Sequence, residues 1–124
     1  MAELDGPRLA PRTGPARRLV VFLHGYGADG NDLIEIGRAW QGLLPDAAFV
    51  SPHAPRPCGQ APMGREWFPL TFRNPEERWT GVNEAAPILE RFLDAEPTFV
   101  RVTKCERKPL ATNRRLPTWA RRVR

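Results

Sequence analysis

The chain has no apolar run approaching the roughly 18 residues that a membrane-spanning helix needs. Its opening, MAELDGPRLAPRTGPARR, has none of the apolar core of a secretory signal, so a cytoplasmic protein is expected. There are only two cysteines, Cys58 and Cys105, too few for a disulfide framework and at no zinc-type spacing. They read as reduced thiols, and neither a metal nor another cofactor is expected. Lysine is missing from residues 1–96, where ten arginines face thirteen carboxylates for a net charge of −3. Residues 97–124 carry nine basic side chains against one glutamate, a net +8, so the overall +5 describes neither part. Serine occurs once, at Ser51, and histidine twice, at His24 and His53.

What is present fits one small domain, because 124 residues lie within the usual size of a single unit. Residues 1–17, rich in Pro, Gly, Ala and Arg, read as a flexible lead-in. Arg18–Leu23 (RLVVFL) is a short aliphatic run with the character of a buried strand. A glycine-rich turn follows. Asp29 or Asn31 can then cap a helix whose apolar positions are Leu33, Ile34, Ile36, Gly37, Trp40, Leu43 and Leu44, stopped by Pro45-Asp46. Ala47–Val50 reads as a second strand. A loop of about thirty residues with six prolines comes next, and its Trp67, Phe68, Phe72 and Trp79 argue that part of it packs. The segment 83–96 (NEAAPILERFLDAE) has a helical stripe of Ile88, Leu89, Phe92 and Leu93, with Pro87 tolerable in a first turn. The alternation predicts an α/β fold with a mainly parallel sheet over residues 18–96. Beyond it, TFVRVT at 98–103 has the alternation of one strand. The rest of 97–124 is basic and broken by proline.

The first chemical signal is His24-Gly25-Tyr26-Gly27 at the end of a strand. Acyl transfer needs backbone N–H groups aimed at a developing oxyanion, and glycines let the backbone turn tightly beside a substrate. A plain glycine-rich turn has the same composition, so the tetrapeptide alone does not decide. Its context does: VVFLHGYGADGNDL and FVSPHAPRPCGQAPMGREWFPL lie about 25 residues apart, each ending a predicted strand. Together with GVNEAAPILERFLDAE they resemble the phospholipase/carboxylesterase family of α/β-hydrolases, which includes the acyl-protein thioesterases. The resemblance covers residues 18–96. It implies the N-terminal part of an α/β-hydrolase acting on small acyl esters or thioesters without a cofactor. It also implies that the Tyr26 backbone N–H serves the oxyanion hole, and that His24 braces the turn with Gly25 and Gly27. His53 and Pro52 would shape the second loop, and Trp67 and Phe68 would stand near the acyl groove.

The same resemblance calls for a later Gly-x-Ser-x-Gly, then Asp, then His. Ser51 precedes the second helix, no Asp follows Asp94 and no His follows His53, so this triad cannot be laid on the chain. The change of character near Glu96-Pro97 suggests a frameshift or premature end, an inactive chain, and a sheet cut short with apolar faces uncovered. Cys58, five residues from His53, is a possible thiol nucleophile, but no third residue orients the pair, and a solvated thiol is the simpler reading. His24 and His53 with Asp29 or Asp32 match no common metal site. The tail, with its arginines and one Trp, has the composition of an arm for nucleic acid or anionic surfaces. The reading preferred for it is a solvated, disordered or out-of-frame segment.

Overall fold

The structure, a computed structural model, describes residues 3–96. In order come β1 (Arg8–Leu9), β2 (Arg18–Val21), α1 (Gly30–Trp40), β3 (Ala47–Val50), β4 (Arg56–Pro57), β5 (Arg65–Glu66) and α2 (Glu77–Ala95). β1, β3 and β2 form one sheet in that order, and β4 and β5 form a separate hairpin.

β3 is central, paired on both sides, and buried at Ala47, Phe49 and Val50. Its pairing with β2 is parallel, with Val20 opposite Phe49 and Val21 opposite Val50. Its pairing with β1 is antiparallel, with Arg8 opposite Val50. The sheet is therefore mixed, where a mainly parallel one was expected. The antiparallel strand comes from within residues 1–17, which composition marked as a flexible lead-in. Pro7 and Pro11 lack the N–H that a longer ladder would need, which keeps β1 short and at an edge. Pro7 still accepts from the Ser51 N–H at 3.0 Å, and Leu4 is buried. β2 is half-buried rather than fully buried, since among the described residues it has one neighbour strand.

The two-residue period of β3 sends side chains to opposite faces, and each face takes one helix. Ala47 and Phe49 meet Ile34 of α1, with Leu9, Val20 and Phe22 around them. Val50 meets Leu4 and Phe92 of α2, with Leu19, Val21, Ile88 and Leu89 around them.

Asp29, not Asn31, caps α1. Its carboxylate accepts from the Asn31 N–H at 2.7 Å while the Asp32 carboxylate accepts from the Asp29 N–H at 2.9 Å, a reciprocal capping box. The helix ends at Trp40, so Leu43 and Leu44 lie in the following turn and Leu43 is exposed. α2 begins at Glu77, six residues before the expected Asn83. Asn74 starts it: its side chain accepts from the Glu76 N–H and its carbonyl from the Glu77 N–H. Pro87 therefore falls mid-helix, not in a first turn, and the Asn83 carbonyl loses its usual i+4 donor. Arg8 ties β1 to the end of α2 through an ion pair with the buried Glu96. The strand expected at 98–103, Cys105 and the basic tail lie outside the described residues.

Candidate active-site turn

The turn after β2 is held from three sides. Phe22 continues the ladder, donating its N–H to Val50 at 2.9 Å. His24 then turns inward and is 3% exposed. Its Nε2 accepts from the Ala54 N–H at 2.9 Å, which leaves the ring proton on Nδ1 to donate to the Gly25 carbonyl at 2.8 Å. One neutral tautomer thus links the turn to the loop after β3. Trp67 supplies the second support: its Nε1 donates to the His24 carbonyl at 2.9 Å, and its ring lies 5.7 Å from the imidazole.

The third support is the β4–β5 hairpin. Gly27 donates its N–H to Arg65 at 3.0 Å, and Arg65 donates back to Ala28 at 2.8 Å. The hairpin comes this close because Gly64 has no side chain; a Cβ there would stand 2.0 Å from the Gly27 carbonyl oxygen. Gly27 itself has φ +82°, a conformation in which glycine avoids the Cβ penalty. Arg65 also donates Nε to the Ala54 carbonyl at 2.9 Å, so Ala54 is gripped at both backbone groups.

Next to the paired Gly27 N–H, the Tyr26 N–H has no hydrogen-bond acceptor among the described residues. The Tyr26 ring points to the hairpin. A hydrogen bond with the Cys58 thiol, then burial and the charge of Glu66, push its hydroxyl up to about 12. Glu66 is buried, accepts from the Gly59 N–H at 3.2 Å and faces Arg56 at 3.6 Å. Phe72 stands edge-on to Tyr26 at 5.9 Å. It adopts φ +60°, rare for a bulky residue, and the Glu77 carboxylate accepts from its N–H.

Beside the turn runs an apolar groove of about 240 Å³, lined by Leu23, His24, Trp67, Phe68, Val82 and Leu89 among others. α2 approaches Phe68 closely through Gly81, where a Cβ would meet the ring at 2.2 Å. His53 does not join this groove. Its Nδ1 accepts from the Gly30 N–H at 3.0 Å, at the start of α1. It lines a separate, more polar cavity of about 370 Å³ with Asp5, Asp29 and Arg65. The structure thus brings His24, Trp67 and Phe68 together and sets His53 apart. Cys58 is buried rather than solvated, and its contact is Tyr26 rather than His53. Part of the aromatic loop packs, through Trp67 and Phe68, while Phe72 and Trp79 are largely exposed. No group of three metal-ligating side chains occurs among the described residues. No helix among them is long and apolar enough to cross a membrane. Sequence reasoning missed Ala54, Gly64, Arg65 and Glu66; the only available signal was that Gly64-Arg65-Glu66 directly precedes Trp67-Phe68.

A strand, a braced glycine turn with an open amide, and helices on both faces of the sheet define an α/β-hydrolase-like unit. Comparison with known proteins agrees. The sequence model of the phospholipase/carboxylesterase family matches residues 4–103, and the chain belongs to that family. It is 34% identical over 73 residues to the esterase YpfH of Escherichia coli (strain K12), covering 59% of this chain and 31% of that one. The crystal structure of esterase PE8 superposes with a TM-score of 0.71 at 46% identity, covering 75% of this chain and 44% of that one. The matches thus span less than half the length of either relative.

Proposed function

We propose that residues 18–96 form the oxyanion-turn part of a serine carboxylic-ester hydrolase, and that this 124-residue chain alone does not turn over esters. The observation that carries the first half is the open Tyr26 N–H. It is flanked by the Gly25 carbonyl, bonded to His24 and Ala28, and by the Gly27 N–H, bonded to Arg65, and it stands next to an apolar groove of acyl-chain character. In the reading proposed here the Tyr26 amide meets the developing oxyanion, and Trp67 and Phe68 border the acyl chain. His24, Gly25 and Gly27 hold the turn. Small or medium acyl esters or thioesters are the proposed substrates of the complete catalytic unit.

The second half rests on the side chains the chain offers. Ser51, its one serine, is fully buried at the end of β3 with its Oγ unpartnered. Both His24 nitrogens serve backbone groups, and His53 Nδ1 does the same. None of these can act as the nucleophile–base pair that removes a proton from an attacking oxygen. Without the triad only the residual contribution of the oxyanion site and binding is left.

Two assays separate the halves. Titrating decanoate into labelled protein should shift the Tyr26 amide and the Trp67 indole signals together; no shift at Tyr26 removes the oxyanion assignment. Incubation with p-nitrophenyl butyrate and a fluorophosphonate probe should give neither turnover above buffer nor a labelled serine. Turnover abolished by that probe overturns the expectation of inactivity.

A further inference from the structure

Phe72 is a bulky side chain held where a bulky side chain is costly. Its φ is +60°, and the residue is 63% exposed, so core burial does not offset the strain. Glu77 holds it there. The two oxygens of that carboxylate accept from the N–H groups of Thr71 and Phe72 at 3.0–3.1 Å and from the Thr71 hydroxyl. The Thr71 hydroxyl is the main influence keeping the Glu77 carboxyl below its ordinary value, so the clamp is ionised at neutral pH. The ring presented in this way stands edge-on to that of Tyr26, at 5.9 Å.

Beside Phe72 is a cavity of about 290 Å³ that shares no lining residue with the apolar groove. Leu70, Phe72 and Pro75 give it apolar walls, and Arg73 and Arg78 give it charge. Neither guanidinium is hydrogen-bonded or within ion-pair distance of a carboxylate among the described residues; Glu77 feels the Arg78 charge only at longer range. Two guanidiniums against the one carboxylate of Glu77 leave the lining at a net +1, and both oxygens of that carboxylate are already engaged.

We propose that this cavity is a subsite for an aromatic ring carrying a negative charge, with Phe72 as its specificity-determining residue and Glu77 as the residue that positions Phe72. The proposal rests on the reading of the turn given above. With the acyl chain in the groove at Trp67 and Phe68, the alcohol or thiol part of the ester has to lie elsewhere beside Tyr26, and Phe72 is the surface that adjoins the Tyr26 ring. An aromatic leaving group packs against Phe72 edge-on or offset. Guanidiniums suit it twice, by pairing with its anionic substituent and by lying over its face. A neutral aliphatic leaving group gains neither contact.

The experiment is an NMR titration of the full chain with 4-hydroxybenzoate, the phenol that would leave such an ester. The comparisons are 4-hydroxybenzamide, which has the ring without the charge, and acetate, which has the charge without the ring. 4-Hydroxybenzoate should shift the Phe72 amide and the Arg73 and Arg78 Nε–H signals with one Kd, and each comparison should bind more weakly by about threefold or more. Phe72→Gly keeps the fold, since glycine adopts φ +60° without strain, and should weaken 4-hydroxybenzoate by a similar factor. Arg73→Gln together with Arg78→Gln should remove the preference over the benzamide. Glu77→Ala tests the positioning role by its sign. Loss of a carboxylate would by charge alone tighten an anion, whereas loss of the clamp should weaken it as much as Phe72→Gly does, with no further loss in the double variant. Tighter binding to Glu77→Ala, equal binding of the three probes, or no shift at Phe72 overturns the proposal. Decanoate is titrated in parallel. A Tyr26 amide that decanoate leaves in place, beside a Phe72 that still moves with 4-hydroxybenzoate, overturns the oxyanion assignment and leaves the subsite standing.

Discussion

Gly64→Ala tests the claim that the hairpin holds the turn. The added Cβ would lie 2.0 Å from the Gly27 carbonyl oxygen and 2.4 Å from its carbon, both backbone atoms with no rotamer to retreat to. Ordinary contact begins near 3.4 Å, so turn and hairpin must part by at least 1.4 Å, the difference between the two distances. The bonds from Gly27 to Arg65 at 3.0 Å and from Arg65 to Ala28 at 2.8 Å do not survive such a shift. Two lost backbone bonds cost about 1–3 kcal/mol, and stranding their donors adds to this, for a total of about 2–4 kcal/mol. With a urea slope of about 1–2 kcal/mol/M, the midpoint should fall by roughly 1–4 M. Gly59→Ala is the control, because no atom lies within 4 Å of its Cβ and its φ is not positive. It should be neutral or stabilise by up to about 1 kcal/mol through the unfolded chain. Urea unfolding followed by tryptophan fluorescence reads both. A Gly64→Ala midpoint indistinguishable from that of Gly59→Ala would refute the role given to the hairpin.

Ser51→Ala removes a buried hydroxyl that has no partner, so it should leave stability unchanged or raise it by about 1 kcal/mol. A loss above about 1 kcal/mol in the same urea assay would mean the hydroxyl is bonded. Pro87→Ala restores a donor for the Asn83 carbonyl in the middle of α2, at an exposed position. It should stabilise by about 1–3 kcal/mol and deepen the helical circular-dichroism signal; a lower midpoint would show that the helix needs its proline. Tyr26 is the chain's one tyrosine, so ultraviolet absorption of tyrosinate reports it alone. Its midpoint should lie near 12 in the folded protein, against 10.0 for the free group. A raised value favours the folded state below pH 10, and this contribution fades as pH rises from 10 towards 12. Cys58→Ala, which removes the first of its causes, should bring the midpoint down; no movement would separate Tyr26 from the thiol.

How much was legible depended on whether the cause was local. β3 could be read to the residue, because AAFV between Asp46 and Ser51-Pro52 carries its own boundaries. The start of α1 was legible to within two residues, since Asp29 and Asn31 are both good caps and only the Asp32 side chain decides between them. β1 was not legible: two residues between prolines have no period, and they become a strand only because β3 offers a free edge. The early start of α2 was hidden for a similar reason. Pro87 looked like a first-turn proline, and the Asn74 turn that sets the true start depends on Glu77 reaching back to Thr71. At the site, His24, Trp67 and Phe68 were legible because they lie in recognisable motifs. Gly64 and Arg65 act through backbone contacts with residues 27 and 28, which no residue-type pattern records.

The supports of the turn all come from a short stretch of chain. Apart from the Asp29 capping bonds with Asn31 and Asp32 and the Tyr26 hydroxyl's bond with Cys58, every bond described for residues 24–30 is made to residues 51–54 or 64–67, or within the turn itself. No contact from α2 is required to hold Tyr26; α2 contributes to the groove instead, through Val82, Ala85 and Leu89. The Tyr26 amide, proposed to meet an oxyanion, can therefore be set in place by a strand, a loop and a hairpin alone. The groove is less self-sufficient: Leu23 and Val82, which line it, are exposed. Exposed apolar surface of this kind favours association. The two parts of the site should thus respond differently to dilution and mild detergent. The Tyr26 and Ala54 amides should keep their chemical shifts, because their partners are internal and polar. Leu23 and Val82 should shift, because water or detergent covers them. Equal shifts at all four positions would mean that the turn depends on whatever covers the groove, and its independence would have to be given up.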